Sequence, residues 1–508
     1  MRSWVVATAA LLLAPWALPT GAEGAATCES LAGKTLGGTP IAKAEVTQPF
    51  SGTDPMMGPF TVGQSFCRLS GTIAPAIAFE VWLPEPTAWN GKLQGVGNGG
   101  VAGHIVPGSM AGALARGYAT VSSNLGHEGG PIDFDFAIGH PELVADWGYR
   151  GTHMMTVVAK AAVEAYYGKP PRFSYFTGCS GGGRQGLMEA QRFPADYDGI
   201  VAGDPTADFT RLTLGGRLWE AIATLKDSAR YIPAAKIAVI AKATVAACDA
   251  LDGVKDGVID DPRQCKFKPA TIQCKSGDGP DCLTEGQVKA LETIYAGSTY
   301  GNGKQIFPGY MPGGELGPMG WASYVSGPAP RKASQFLYSD GFARGMVMEK
   351  RTYDSLTFDY DRDMPEAIQK LSPTIDATNP DLAGFEARGG KLIQYHGWSD
   401  PGVSPLSSVN YYEKVSEHLR GDPSGFYRLF MVPGMQHCIG GPGPDHFDAL
   451  AALEQWIEKS KAPDRIVATH LTDGKPDRTR PLCPYPQVAK WDGKGGTDNA
   501  ESFNCGPP

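Results

Sequence analysis

Ten cysteines, all lying beyond an apolar leader in a chain of 508 residues, constrain the fold more than any other feature. They are Cys28, Cys67, Cys179, Cys248, Cys265, Cys274, Cys282, Cys438, Cys483 and Cys505. An even count behind a leader reads as a disulfide framework made in an oxidising compartment. Spacing suggests the pairs Cys28–Cys67, Cys248–Cys265, Cys274–Cys282 and Cys483–Cys505, which leaves Cys179 for Cys438. Spacing does not fix connectivity. Zinc is the rival use of such residues, but no C-x2-C pair is present. The Cys179–Cys438 pair matters most, because Cys179 adjoins Ser180 and Cys438 adjoins His437. A bond there would bring a hydroxyl and an imidazole together across half the chain.

The leader has Arg2, an apolar stretch from Trp4 to Leu18, and small residues in Gly21-Ala22-Glu23-Gly24-Ala25-Ala26. It reads as a secretory signal over residues 1–26, cleaved after Ala22 or Ala26. A membrane anchor is the alternative, but the stretch is short for a span. Thr27 stands before Cys28 where a lipoprotein would have a smaller residue. The expectation is a periplasmic or extracellular protein. Net charge is -8 with no basic stripe, which excludes a nucleic-acid role.

Short apolar runs at 77–83, 92–97, 118–123, 173–177, 199–203, 392–396 and 427–432 predict buried strands. Helical periodicity falls at 147–167, 184–193, 404–419 and 445–460. Strands alternating with helices imply an α/β fold with a mostly parallel sheet covered on both faces. The alternation breaks between about Asp204 and Arg388, a stretch rich in Gly, Pro and aromatic clusters such as Phe336-Leu337-Tyr338. It reads as an insertion.

Gly178-Cys179-Ser180-Gly181-Gly182 fits G-x-S-x-G between a predicted strand and a predicted helix. With 66 glycines the pattern alone is weak, and a glycine-rich turn with an unreactive serine is its plain alternative. Two further residues strengthen it. Asp400 follows the strand 392–396, and His437 follows the strand 427–432. The order Ser, Asp, His matches a nucleophile, its orienting acid and its base in an α/β-hydrolase. His127, His140, His396 and His446 compete for the base, but only His437 combines a strand-end loop with a neighbouring cysteine. An oxyanion hole needs two donors. The Gly181 N–H is one; Gly99 or Gly100 in the turn Gly97–Gly103 is the other.

Taken together, Cys179-Ser180, Asp400 and His437-Cys438 resemble the tannase and feruloyl esterase family, which includes the mono(2-hydroxyethyl) terephthalate hydrolases. The resemblance runs over most of the chain beyond the leader. It implies an α/β-hydrolase with a large lid inserted before the strand that carries the acid. The division is then a core at 27–204, a lid at 205–388 and the rest of the core at 389–508. It also implies hydrolysis of aromatic acid esters, feruloyl or galloyl among them, through an acyl-enzyme.

The run Asp249 to Asp261 is acidic and holds Gly253 and Gly257. By itself it fits either a hard-cation loop or a solvated surface loop, and it lacks EF-hand spacing. The resemblance implies a structural Ca2+ bound by side chains of Asp249, Asp252 and Asp256 and by backbone carbonyls of Val254 and Val258. The resemblance also implies that the lid lines the acid-group pocket; candidates are Trp219, Trp321, Phe342, Arg344, Arg351, Tyr353 and Phe358. A lid arginine gripping a free carboxylate would suit a terephthalate monoester hydrolase. Gly181, standing where those enzymes can have a glutamate, weakens that narrower reading. A serine peptidase or transferase on the same fold, and a noncatalytic calcium-dependent binding protein, are the alternatives.

Overall fold

The computed structural model describes Met1 and residues 26–508, so the expected signal segment lies almost wholly outside the described residues. The centre is a nine-stranded sheet. Its strands are β1 (Lys43–Thr47), β2 (Phe66–Ile73), β3 (Ile77–Pro84), β4 (Lys92–Val96), β5 (Ala119–Ser123), β6 (Phe173–Cys179), β7 (Gly199–Gly203), β8 (Lys391–Gly397) and β9 (Tyr427–Val432). Their spatial order is β9-β8-β7-β6-β4-β5-β3-β2-β1. The pairs from β9 through β5 are parallel, and the pairs β5–β3, β3–β2 and β2–β1 are antiparallel. The sheet is therefore mixed, its parallel half carrying the predicted chemistry.

Side chains alternate across a strand, so a sheet covered on both faces needs apolar residues at consecutive positions. That pattern is present. Phe176, Ile200 and Leu392 pack with Met155, Val158, Leu187 and Val409 on one face. Tyr175, Val201 and Ile393 pack with Leu450, Leu453 and Trp456 on the other. The covering helices are α1 (Pro107–Ala115), α2 (Gly151–Tyr167), α3 (Gly181–Arg192), α4 (Leu406–Leu419) and α5 (Ala449–Lys459).

Helix α3 starts three residues before the periodicity predicts. Glycine is a poor helix former, so Gly181-Gly182-Gly183 hides the start. The close packing explains the glycines: a Cβ on Gly183 would stand 2.3 Å from the Gly203 carbonyl oxygen, and one on Gly181 2.7 Å from that of Gly100.

Residues 204–390 add no strand to the main sheet; they form helices and the small ladder Ser298–Thr299 with Gln305–Phe307. Phe209, Phe342 and Met346 of this stretch share a core with Val101, Leu125 and Trp147 of the first part. Beyond α5 come the hairpin Ile466–Thr472 with Lys475–Leu482 and the terminal pair Val488–Trp491 with Phe503–Gly506. Five disulfides join Cys28–Cys67, Cys179–Cys438, Cys248–Cys265, Cys274–Cys282 and Cys483–Cys505, the connectivity that spacing suggests. Among the described residues no helix is long and apolar enough to cross a membrane.

Candidate active site

Ser180 stands alone between the end of β6 and the start of α3, with φ 61° and ψ -118°. Few residues other than glycine adopt such a conformation, and it persists only where surroundings impose it. Here the Ser180 N–H donates to the Gly203 carbonyl at 2.9 Å, and its carbonyl accepts from the Arg184 N–H at 3.1 Å. Gly178 leaves room for the turn, since a Cβ there would lie 2.6 Å from the Gly182 backbone. The bond from Cys179 to Cys438 ties this turn to the loop after β9.

His437 lies in that loop, and its Nδ1 is 2.7 Å from Asp400 Oδ2. Asp400 is buried just past β8. Its Oδ1 accepts from the Gly402 N–H at 2.6 Å and the Val403 N–H at 2.9 Å. A second histidine reaches it: His396 Nε2 is 3.2 Å from Asp400 Oδ2 and 3.2 Å from the Val403 carbonyl. A carbonyl only accepts, so His396 Nε2 carries a proton. Burial alone would raise the Asp400 carboxyl, but the charge of His437 and the donors of both histidines outweigh it and hold the group below the usual carboxylate range.

Asp204, also fully buried, approaches the same His396 Nε2, its Oδ1 at 3.7 Å. Burial first, and repulsion from Asp400 next among the raising causes, hold its carboxyl well above the usual range, although His396 opposes the shift. The two buried carboxyls beside one histidine are thus shifted in opposite directions, Asp400 downward and Asp204 upward. His396, a rival base from sequence, is instead a buried partner of the acid. Its position four residues before Asp400 was legible; its orientation was not.

The N–H groups of Gly99, Gly100 and Gly181 have no hydrogen-bond partner among the described residues. The turn holding Gly99 and Gly100 touches the start of α3 through the close Gly100–Gly181 approach. Gly99 and Gly100 both line the cavity beside Ser180, so both stay open as the expected second donor.

Ser180 and His437 line one cavity of about 620 Å³, mostly apolar, together with Gly99, Gly100, Tyr395 and residues of the 204–390 stretch. The Ser180 hydroxyl makes no hydrogen bond among the described residues, a looseness common where substrate completes the geometry. The residues expected to line the pocket from the inserted stretch are not those that do. Trp321, Phe342 and Phe358 are buried in helical cores. Trp219 packs edge-on against Tyr360, Arg344 pairs with Asp340, Arg351 pairs with Asp135, and Tyr353 borders the core around Phe342. The wall is made instead by Arg217, Met319, Tyr324, Ser334, Gln335 and Tyr338. Tyr338 was visible as part of an aromatic cluster. Arg217 was not, because it lies in an apolar run. Its Nε donates to the Gly402 carbonyl at 3.1 Å, its guanidinium lies 4.3 Å from the Tyr338 ring centre, and its Nη1 has no hydrogen-bond partner among the described residues.

The family model described as "Tannase and feruloyl esterase" matches residues 61–506. The chain belongs to the tannase and feruloyl esterase family. It is a carboxylic ester hydrolase by that membership. An uncharacterised esterase of Xanthomonas campestris is 38% identical over 97% of this chain and 93% of its own length. The mono(2-hydroxyethyl) terephthalate hydrolase of Piscinibacter sakaiensis is 35% identical over 87% of this chain and 85% of its own. The crystal structure of feruloyl esterase B from Aspergillus oryzae superimposes with a TM-score of 0.84, at 29% identity over 92% of this chain and 97% of that one. The α/β-hydrolase expectation holds, with the sheet extended by an antiparallel half.

The acidic loop is fixed by its own side chains. Asp249 Oδ1 accepts from the N–H groups of Asp256 and Gly257, Asp252 Oδ1 from Val254, and Asp256 Oδ1 from Val258. Burial, followed by the charges of Asp252 and Asp256, pushes the nearby Asp260 carboxyl up to about 7. Crowded aspartates are the donors a hard cation takes, and Asp249, Asp252 and Asp256 are the expected set, but among the described residues their carboxylate oxygens do not gather within 4.8 Å of one another. The least available member of the set is Asp256, whose Oδ2 meets Arg480.

Proposed function

We propose that this protein is a secreted serine esterase that releases aromatic, phenolic acids from their esters through an acyl-enzyme. The observation that carries the reading is the shared cavity: Ser180, on a strained turn, and His437, backed by ionised Asp400, open into one largely apolar space. An apolar pocket with a few convergent polar groups suits an aromatic acyl group.

In this reading Ser180 Oγ attacks the ester carbonyl carbon while His437 Nε2 takes its proton. Asp400 fixes the tautomer through Nδ1 and stabilises the imidazolium. The carbonyl oxygen, now negative, takes the Gly181 N–H and that of Gly99 or Gly100. Collapse expels the alcohol, which receives the proton from His437. Water then repeats the sequence on the acyl-enzyme, releasing the acid and restoring Ser180. Asp249, Asp252, Asp256 and the carbonyls of Val254 and Val258 would hold a Ca2+ that stiffens the 204–390 stretch without entering the chemistry. The five disulfides favour an oxidising compartment.

Release of ferulate from methyl ferulate tests the reading. Wild type should turn over, and Ser180→Ala should be inactive with an unchanged circular dichroism spectrum. A folded Ser180→Ala with undiminished turnover would overturn it.

A further inference from the structure

Large exposed apolar side chains are few among the described residues, and four of them, Met56, Met57, Ile132 and Ile439, line the catalytic cavity. Their exposures are 47%, 67%, 44% and 61%, whereas Arg217 and Gln335 on the same cavity are 5% and 2% exposed. The cavity therefore has a buried inner wall and an apolar, solvent-facing rim. Such a rim around a functional opening marks a binding surface.

The rim is built into the catalytic parts. Met56 and Met57 form the tip of a hairpin, Phe50–Asp54 with Gly58–Val62. Buried Asp54 holds this tip: its Oδ1 accepts from the N–H groups of Met56 and Met57 at 2.9 and 3.0 Å, and its Oδ2 from the Gly108 N–H at the start of α1. The Met56 side chain covers Gly99, where an added Cβ would meet its Cε at 2.5 Å. Ile132 follows Pro131, whose carbonyl accepts from the Val101 N–H beside the oxyanion turn. Ile439 stands two residues after His437.

We infer that this rim is the alcohol-side subsite and that the enzyme prefers esters of apolar alcohols, alkyl or aryl, over sugar-like ones. The inference rests on the esterase reading above. An ester carbonyl held at Ser180 directs one substituent to the buried wall and the other to the rim. The alcohol leaves first and must escape, so it takes the open side. Methionine is flexible and polarisable and adapts to varied apolar groups. Each methylene that the rim takes out of water should raise kcat/KM by up to about fourfold.

The test holds the acyl group constant as ferulate and varies the alcohol through methyl, butyl, benzyl and glucosyl. Wild type should show kcat/KM on the order of tenfold higher for butyl and benzyl than for methyl, with glucosyl no better than methyl. Met56→Ser/Met57→Ser, which keeps Asp54 and its turn, should cut the butyl and benzyl advantage over methyl to about threefold or less, the loss being larger on butyl and benzyl ferulate than on methyl ferulate. Binding of benzyl against methyl ferulate to Ser180→Ala, with and without the two methionine changes, reads the subsite apart from turnover. An equal loss on every ester and an unchanged binding ratio would overturn the inference. A binding ratio that falls as expected, in an enzyme that hydrolyses none of the esters, would support the subsite and count against the esterase reading alone.

Discussion

Cys179 and Cys438 are bonded across 259 residues of chain, and the residue after the first, Ser180, shares a cavity with the residue before the second, His437. The bond joins the turn after β6 to the loop after β9, two strands that are not neighbours in the sheet. It fixes the distance between the loops that carry Ser180 and His437.

Removing that bond should harm activity more than stability alone explains. Cys179→Ala/Cys438→Ala should lose roughly 2–5 kcal/mol of stability and at least about tenfold in kcat/KM at temperatures where it remains folded. Cys274→Ala/Cys282→Ala, which opens a separation of only 8 residues, should keep its kcat/KM. Chemical denaturation beside steady-state kinetics checks both.

Ser180 is strained for any residue but glycine. Ser180→Gly should raise the unfolding free energy by about 1 kcal/mol while abolishing turnover. A melting temperature that does not rise would mean that the turn is held without cost.

His396 donates to the Asp400 oxygen that also faces His437. Losing a hydrogen bond to a charged group costs about 1.5–3 kcal/mol, so His396→Ala should reduce kcat/KM on the order of tenfold or more. His396→Gln, with an N–H to offer, should recover part of the loss in the same assay.

The two buried carboxyls have opposite effects on stability against pH. Asp400 is depressed, so its contribution is present above the unfolded value of about 3.9 and is lost as pH falls below it. Asp204 is raised, so its contribution is present below about 3.9 and is lost as pH rises from there through its folded value. Asp204→Asn removes the second effect. Its urea midpoint should fall less than that of wild type as pH is raised above about 4. Parallel curves would contradict the upward shift of the Asp204 carboxyl.

The acidic loop should make stability depend on calcium. Chelation should lower the melting temperature of wild type by several degrees, and added Ca2+ should restore it. Asp252→Asn should melt low with or without chelator. Turnover of methyl ferulate at low temperature should change little, because the loop is outside the cavity.

Much of this was readable from sequence because the signals are local. The strand runs, the G-x-S-x-G turn and the strand-end positions of Asp400 and His437 each follow from a few adjacent residues. The cysteine spacings gave the short pairs, and the long pair followed by elimination. What sequence did not reveal depends on packing between distant segments. The glycines that begin α3 suppress helix propensity, yet no other residue fits against Gly203 and Gly100. The cavity wall depended on which side of each helix turned inward, so aromatic content pointed to Trp321 and Phe342 when Arg217, Gln335 and Tyr338 do the lining. The buried pair Asp204–His396 joins the ends of two strands that pair only in space.

Covalent labelling by a fluorophosphonate, followed by peptide mass spectrometry, reads which side chain is the nucleophile. One adduct is expected, on Ser180, formed in step with loss of ester hydrolysis and absent from His437→Ala under the same conditions. An enzyme inactivated by an adduct on another residue, or one fully active with Ser180 modified, would contradict that role for Ser180.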